Sequence, residues 1–167
     1  MTEIMRDFLK TNKKNVVTIF SDKYNPEKCT VGYVQMSDCK GTILSAISPE
    51  GLYDGCVWRA DSLIYRIDIE GKYERYLKEK NKAMAQRIAS VEIYGDSLKT
   101  ILKYAYKSKS IVDISIDESG MQELVKGHIE TIHEDGTLVI KRTNQFEEDD
   151  GYCIIEQCDI VSLNCQA

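Results

Sequence analysis

The residues of this 167-residue chain that could do chemistry are two histidines, six cysteines and a dense acidic run. His128 and His133 are five apart, so on a regular strand they face opposite sides and do not converge on a metal. The triplet His133-Glu134-Asp135 is hydrophilic and reads as the solvated tip of a hairpin rather than a metal site. Glu147-Glu148-Asp149-Asp150 before Gly151 could hold a divalent cation, yet consecutive carboxylates in a turn are more often simply solvated. Cys29, Cys39, Cys56, Cys153, Cys158 and Cys165 form no C-x-x-C pair, and neither histidine lies at ligand spacing from them. Most sit in apolar runs, where a thiol packs as a small hydrophobe. Cys153 and Cys158 have no charged helper in the sequence to lower a thiol pKa. Phosphate-cradling glycine loops and the G-x-S-x-G elbow are missing. The chain is therefore read as non-catalytic, with no cofactor, no catalytic residue and no metal.

Composition sets the frame for that reading. The chain is 43% hydrophobic and 29% charged, with a net charge of −5, which suits one compact domain or two very small ones. No apolar run approaches the length of a bilayer span, and Met1 to Lys14 is too charged for a signal peptide. Free cysteines without a secretory signal point to the reducing cytoplasm. The charge is unevenly spread. Residues 1–71 net −1, residues 72–109 net +6, and residues 110–167 net −10. So acidic a C-terminal third makes a poor phosphate binder.

The elements that would carry these residues occur twice. Shifted by 95, Asp22 falls on Asp117, Gly32 on Gly127 and Gly41-Thr42 on Gly136-Thr137. One residue further on, a shift of 96 puts Asp54-Gly55 on Asp150-Gly151 and Ile64 on Ile160. Glycines and turn residues recur in order because they answer backbone demands. Each copy reads as a helix and five short strands. Thr2 caps a helix to about Lys14, and strands follow near 16–20, 29–36, 41–48, 55–59 and 63–69. In the second copy a helix starts at Asp96 or Ser97, and strands follow near 111–116, 123–132, 136–142, 151–156 and 159–164. Asp38-Cys-Lys-Gly41 and Glu134-Asp135-Gly136 are hairpin turns at matched places. Between the copies, Tyr73, Tyr76, Leu77, Met84 and Ile88 recur at helical spacing among Lys, Arg and Glu. Trp58 aligns with the apolar Ile154, which favours core packing over base stacking.

A helix and five short, strongly bent strands, with a glycine in the second strand, resembles the Sm-like (LSm) family. The resemblance covers about 1–70 and again 96–165. Gly32 leads to Asp38 at the family's spacing, with Thr42 where the family has Asn; in the second copy Gly127 leads to His133, and Thr137 takes that place. Arg59-Ala60-Asp61 corresponds to the family's Arg-Gly-Asn/Asp turn, whereas Glu156-Gln157-Cys158-Asp159 has no arginine. The resemblance implies a mostly β chain with helices. It comprises two small five-stranded Sm-like barrels, each preceded by an α-helix and joined by an amphipathic helix. The first barrel spans 1–71, the connecting helix 72–95 and the second barrel 96–167. Other small barrels (SH3-like, Tudor-like, PRC-like) have similar strand counts.

The resemblance also implies a job. Family members assemble into rings through strand edges and bind single-stranded RNA at the pore. Asp38, Thr42 and Arg59 are the residues that could inherit RNA contact, helped by the basic segment 72–109. The chain is thus expected to be a binding or assembly module that self-associates through strand edges, with single-stranded RNA as candidate ligand. The alternative is a protein-interaction or structural scaffold with no nucleic-acid role.

Overall fold

The computed structural model describes residues 1–81, 91–116, 124–144, 146 and 148–166. Helix α1 (Glu3–Thr11) is capped by Thr2, whose Oγ1 accepts the N–H of Met5. Strands β1 (Val16–Phe20), β2 (Cys29–Ser37), β3 (Gly41–Ile47), β4 (Tyr53–Ala60) and β5 (Arg66–Ile69) follow. Helix α2 (Lys72–Lys80) and helix α3 (Ser97–Ser108) lead to β6 (Val112–Ser115), β7 (Leu124–Ile132), β8 (Thr137–Thr143), β9 (Asp149–Glu156) and β10 (Ser162–Cys165). The amphipathic pattern over Tyr73–Ile88 is helical to Lys80; Met84 and Ile88 lie outside the described residues.

The ten strands form one open antiparallel sheet, in the order β5-β1-β2-β3-β4-β10-β6-β7-β8-β9. This corrects the expectation of two separate five-stranded barrels. The physical reason lies in β10. It pairs with β6 on one side and spends its other edge on β4, Leu163 lying opposite both Ile114 and Trp58. Edges that would close a barrel are used to join the halves. Helices, rather than closure, cover the apolar faces.

Within each half the strand order is the same, and so is the register after one irregularity. Met36 pairs with Ile43 beyond a bulge in β2, and Thr131 with Val139 beyond a bulge in β7. Ile43 then pairs with Trp58, and Val139 with Ile154. The extra residue of the second half thus falls in the turn before β8. Gly32 and Gly127 are required by close approach. A Cβ at either would stand 2.1 Å from a backbone carbonyl oxygen, of Ser45 or Lys141 respectively. Strongly bent strands bring backbones that near only where no side chain intervenes.

Three apolar clusters follow from the alternation of side chains along the strands. Leu9 of α1 packs with Val17, Ile19, Val34, Leu44 and Val57 on one face of the first half. On the opposite face Leu77 of α2 packs with Val16, Val31, Tyr33 and Ile47. The third cluster joins the halves. Leu98, Ile101, Leu102 and Ala105 of α3 meet Ile114, Leu138, Ile140 and Leu163 together with Ile43 and Trp58 of the first half. Helix α3 therefore lies across β3 and β4 as well as β7.

Candidate functional site

The residues singled out by sequence converge on the seam where β4 meets β10. Arg59 sits on β4 opposite Ser162, with Thr42 of β3 on its other side. Its Nη1 donates to the carbonyl of Trp58 at 2.9 Å and to Asn164 Oδ1 of β10 at 2.7 Å. Among the described residues these partners are neutral groups, and burial pushes the guanidinium down to about 10. Half-buried beside neutral acceptors, the cation ties the strands through geometry rather than charge. Thr42 is fully buried and shares a hydrogen bond with Ser37 Oγ at 3.0 Å.

Asp38 reaches further. Its Oδ1 accepts the N–H groups of Lys40 and Gly41, closing the turn, and the hydroxyl of Ser97 at 2.7 Å. Its Oδ2 accepts the N–H of Ser97 at 2.6 Å, so one carboxylate fastens the start of α3 to the first half. Burial raises the Asp38 carboxyl. The hydrogen bonds from Ser97, Gly41 and Lys40 outweigh it and hold the group below its ordinary value. Trp58 completes the chain of bonds, its Nε1 donating to Ser97 Oγ at 3.0 Å. Both carboxylate oxygens of Asp38 and the side chain of Thr42 are thus engaged within the fold. Sequence reading missed Ser97 and Asn164, whose partners are 59 and 105 positions away.

The other candidates stand apart. Cys56 and Cys165 lie opposite each other on the buried side of the seam as free thiols, and burial raises both above the ordinary thiol range. Neither is poised as a nucleophile. His128 Nδ1 lies 3.0 Å from the Lys109 carbonyl, while His133 is in the turn before β8. Within the acidic run, Asp149 pairs with Lys141 at 3.1 Å and Asp150 with Arg142 at 2.8 Å; Glu147 lies outside the described residues. Glu156, Cys158 and Asp159 bring donor atoms within 4.8 Å of one another, all exposed, and the hydrogen bond to Glu156 raises the Cys158 thiol.

The seam has open counterparts at the two ends of the sheet. Among the described residues β5 pairs only with β1, and β9 only with β8. In strand order β5 holds in the first half the place of β10, and β9 holds in the second the place of β4. Among the described residues no helix is long and apolar enough to cross a membrane. No family model, curated protein or solved structure matches the chain.

Proposed function

We propose that this chain is a non-catalytic assembly module that associates with copies of itself, edge β9 of one chain receiving edge β5 of the next. The observation that carries the reading is the seam: the chain already joins a β4-type edge to a β10-type strand and, among the described residues, leaves one of each unpaired. Unpaired strand edges are templates for further pairing. Because the two edges differ, the contact is head-to-tail and generates rings or filaments. Kinship with Sm-like proteins belongs to this reading, supported by the shared strand order of the halves and the matched Gly32 and Gly127. A cytoplasmic setting belongs to it too, since a reducing compartment preserves Cys56 and Cys165 as facing thiols. Sedimentation equilibrium over a wide concentration range tests it. Species at multiples of 19.1 kDa are expected, and a monomer at every concentration overturns it.

Single-stranded RNA is a second reading, favoured by α2. Its exposed Tyr73 and Tyr76 alternate with exposed Lys72, Arg75 and Lys80, the Lys80 ammonium lying over the Tyr76 ring. Aromatics among cations form a stacking platform for unpaired bases. Fluorescence anisotropy with a short RNA at two salt concentrations decides this. Binding that weakens with salt supports it, and its absence at low salt removes it.

A further inference from the structure

We infer that, in such an assembly, helix α1 of a second copy seats Ile4 and Phe8 on the outer face of β8 and β9, over Val139 and Ile154. The inference rests on the edge-pairing reading above and names the surface that reading leaves open. Two independent comparisons within the chain lead to it.

The first concerns the sheet. Ile43 and Trp58 are cross-strand partners placed just after the β2 bulge, and Val139 and Ile154 are partners placed just after the β7 bulge. Yet Trp58 is 2% exposed and Ile154 70% exposed. The first pair is covered by α3, the helix that leads into the next five strands. No described element covers the second pair, and Tyr152 beside it is exposed as well.

The second concerns the helices. Counted from the N-caps Thr2 and Asp96, Ile4 holds the place of Leu98, and Phe8 that of Leu102. Leu98 is 8% exposed and Leu102 is buried, whereas Ile4 is 82% exposed and Phe8 also protrudes. Ile4 and Phe8 are bare on α1 at two positions that α3 buries in the cluster joining the halves, while Asp7 stands where α3 buries Ile101. Among the described residues the chain thus shows a bare sheet patch lacking its helix, and two bare apolar helix residues lacking their patch. Isolated exposed apolar residues need no explanation, but two such sets in matched places do.

The register of the joining strands follows from the same template. Val112 of β6 lies opposite Cys165 of β10, and Val17 of β1 lies opposite Ile69 of β5. Carrying Leu163 opposite Trp58 over to the open edges sets Ile67 of the second copy opposite Ile154, and Ile69 opposite Tyr152. A continuous apolar strip results, with Ile67 and Ile154 under α1 as Leu163 and Trp58 lie under α3.

The test uses the full chain and four proteins: wild type, Ile4→Ser, Ile154→Ser and the double variant. Both side chains are exposed in the single chain, so circular dichroism melts of dilute samples should coincide. Sedimentation should show each single variant raising the dissociation constant at least tenfold. The double variant should raise it little further, because the two residues share one contact. A photo-crosslinking residue at 154 should join to the peptide containing residues 3–11 of another chain. Wild type that assembles with an affinity unchanged by Ile4→Ser and Ile154→Ser overturns this inference and spares edge pairing. Additive effects of the two variants also overturn it. Wild type that remains monomeric throughout overturns both.

Discussion

Strands β4 and β9 hold the same position in their halves and pair with their neighbours in the same register, yet their burial differs. In β4, the run Gly55–Trp58 is buried on both faces. In β9, Ile155 alone is buried while Tyr152 and Ile154 stand in solvent. Strands β3 and β8 repeat the contrast, one buried along its whole length and the other only at alternate residues. The cause is the neighbours. β4 has β10 at its edge and α3 across its outer face, and β9 has neither among the described residues. Farther along the sheet, Thr18 of β1 donates to Glu74 of α2, which covers that face. The corresponding Asp113 of β6 is half-buried and takes a hydrogen bond from Gln166. A strand with both faces covered and a strand with one are the same structural unit in different company.

The sharpest way to break this comparison is to truncate the two matched side chains. Trp58→Ala removes a buried indole and its bond to Ser97, and should cost about 3–5 kcal/mol. Ile154→Ala in a dilute, dissociated sample should stay within about 0.5 kcal/mol, as surface changes do. Urea denaturation measures both. Equal losses would show that β9 is buried in solution by something inside the chain.

Next in size is the tie between Asp38 and α3. Asp38→Ala strips the acceptor from Ser97 and from two turn N–H groups and should cost about 1–3 kcal/mol. Among the described residues His133, in the matching turn of the second half, makes no side-chain hydrogen bond to a helix, and His133→Ala should change stability by less than about 0.5 kcal/mol. The Asp38 carboxyl is held below its ordinary value of 3.8 in the folded chain. Its contribution is therefore complete above that value and disappears as pH falls through the lower, folded one. Thermal melts of wild type and Asp38→Asn should converge on acidification through that range. A gap that stays constant to the lowest pH would show that the ionised carboxylate is not what fastens α3.

Much of this was legible in the sequence, for reasons that local chemistry supplies. Thr2 read as a helix cap and Asp96 or Ser97 as the start of a second helix, the turn glycines bounded the strands, and Trp58 proved to be core although Ile154, the apolar residue it aligned with, stands in solvent. The joining of the halves was not legible. Whether β10 turns back on its own half or lies along β4 depends on long-range geometry, and an alternating pattern such as Ser162-Leu163-Asn164 serves either choice. The site was legible in its members but not in their partners. Asp38, Thr42 and Arg59 stood out by spacing, whereas nothing local to Asp38 announces Ser97 as its partner, and nothing near Arg59 announces Asn164.

The smallest expected effect makes the finest comparison, because β4 and β9 differ in charge at one of the four seam positions: Arg59 holds the place that Ile155 holds in β9. Arg59→Met removes the bonds to Trp58 and Asn164, and it also removes a cation that burial has already weakened to about 10. Lost hydrogen bonds and relieved desolvation oppose each other, and replacing a half-buried charge by an apolar chain of similar length leaves a small net change. A net change within about 1 kcal/mol is expected in urea denaturation, with the Asn164→Leu/Arg59→Met pair recovering part of any loss by removing the orphaned amide. That outcome would mean strand pairing and the apolar cover of α3 hold the seam. An edge carrying Ile155 would then be as competent to receive a strand as one carrying Arg59. Unfolding by Arg59→Met alone would mean the seam depends on a bond that β9 has no residue to make, and the two edges would cease to be equivalent.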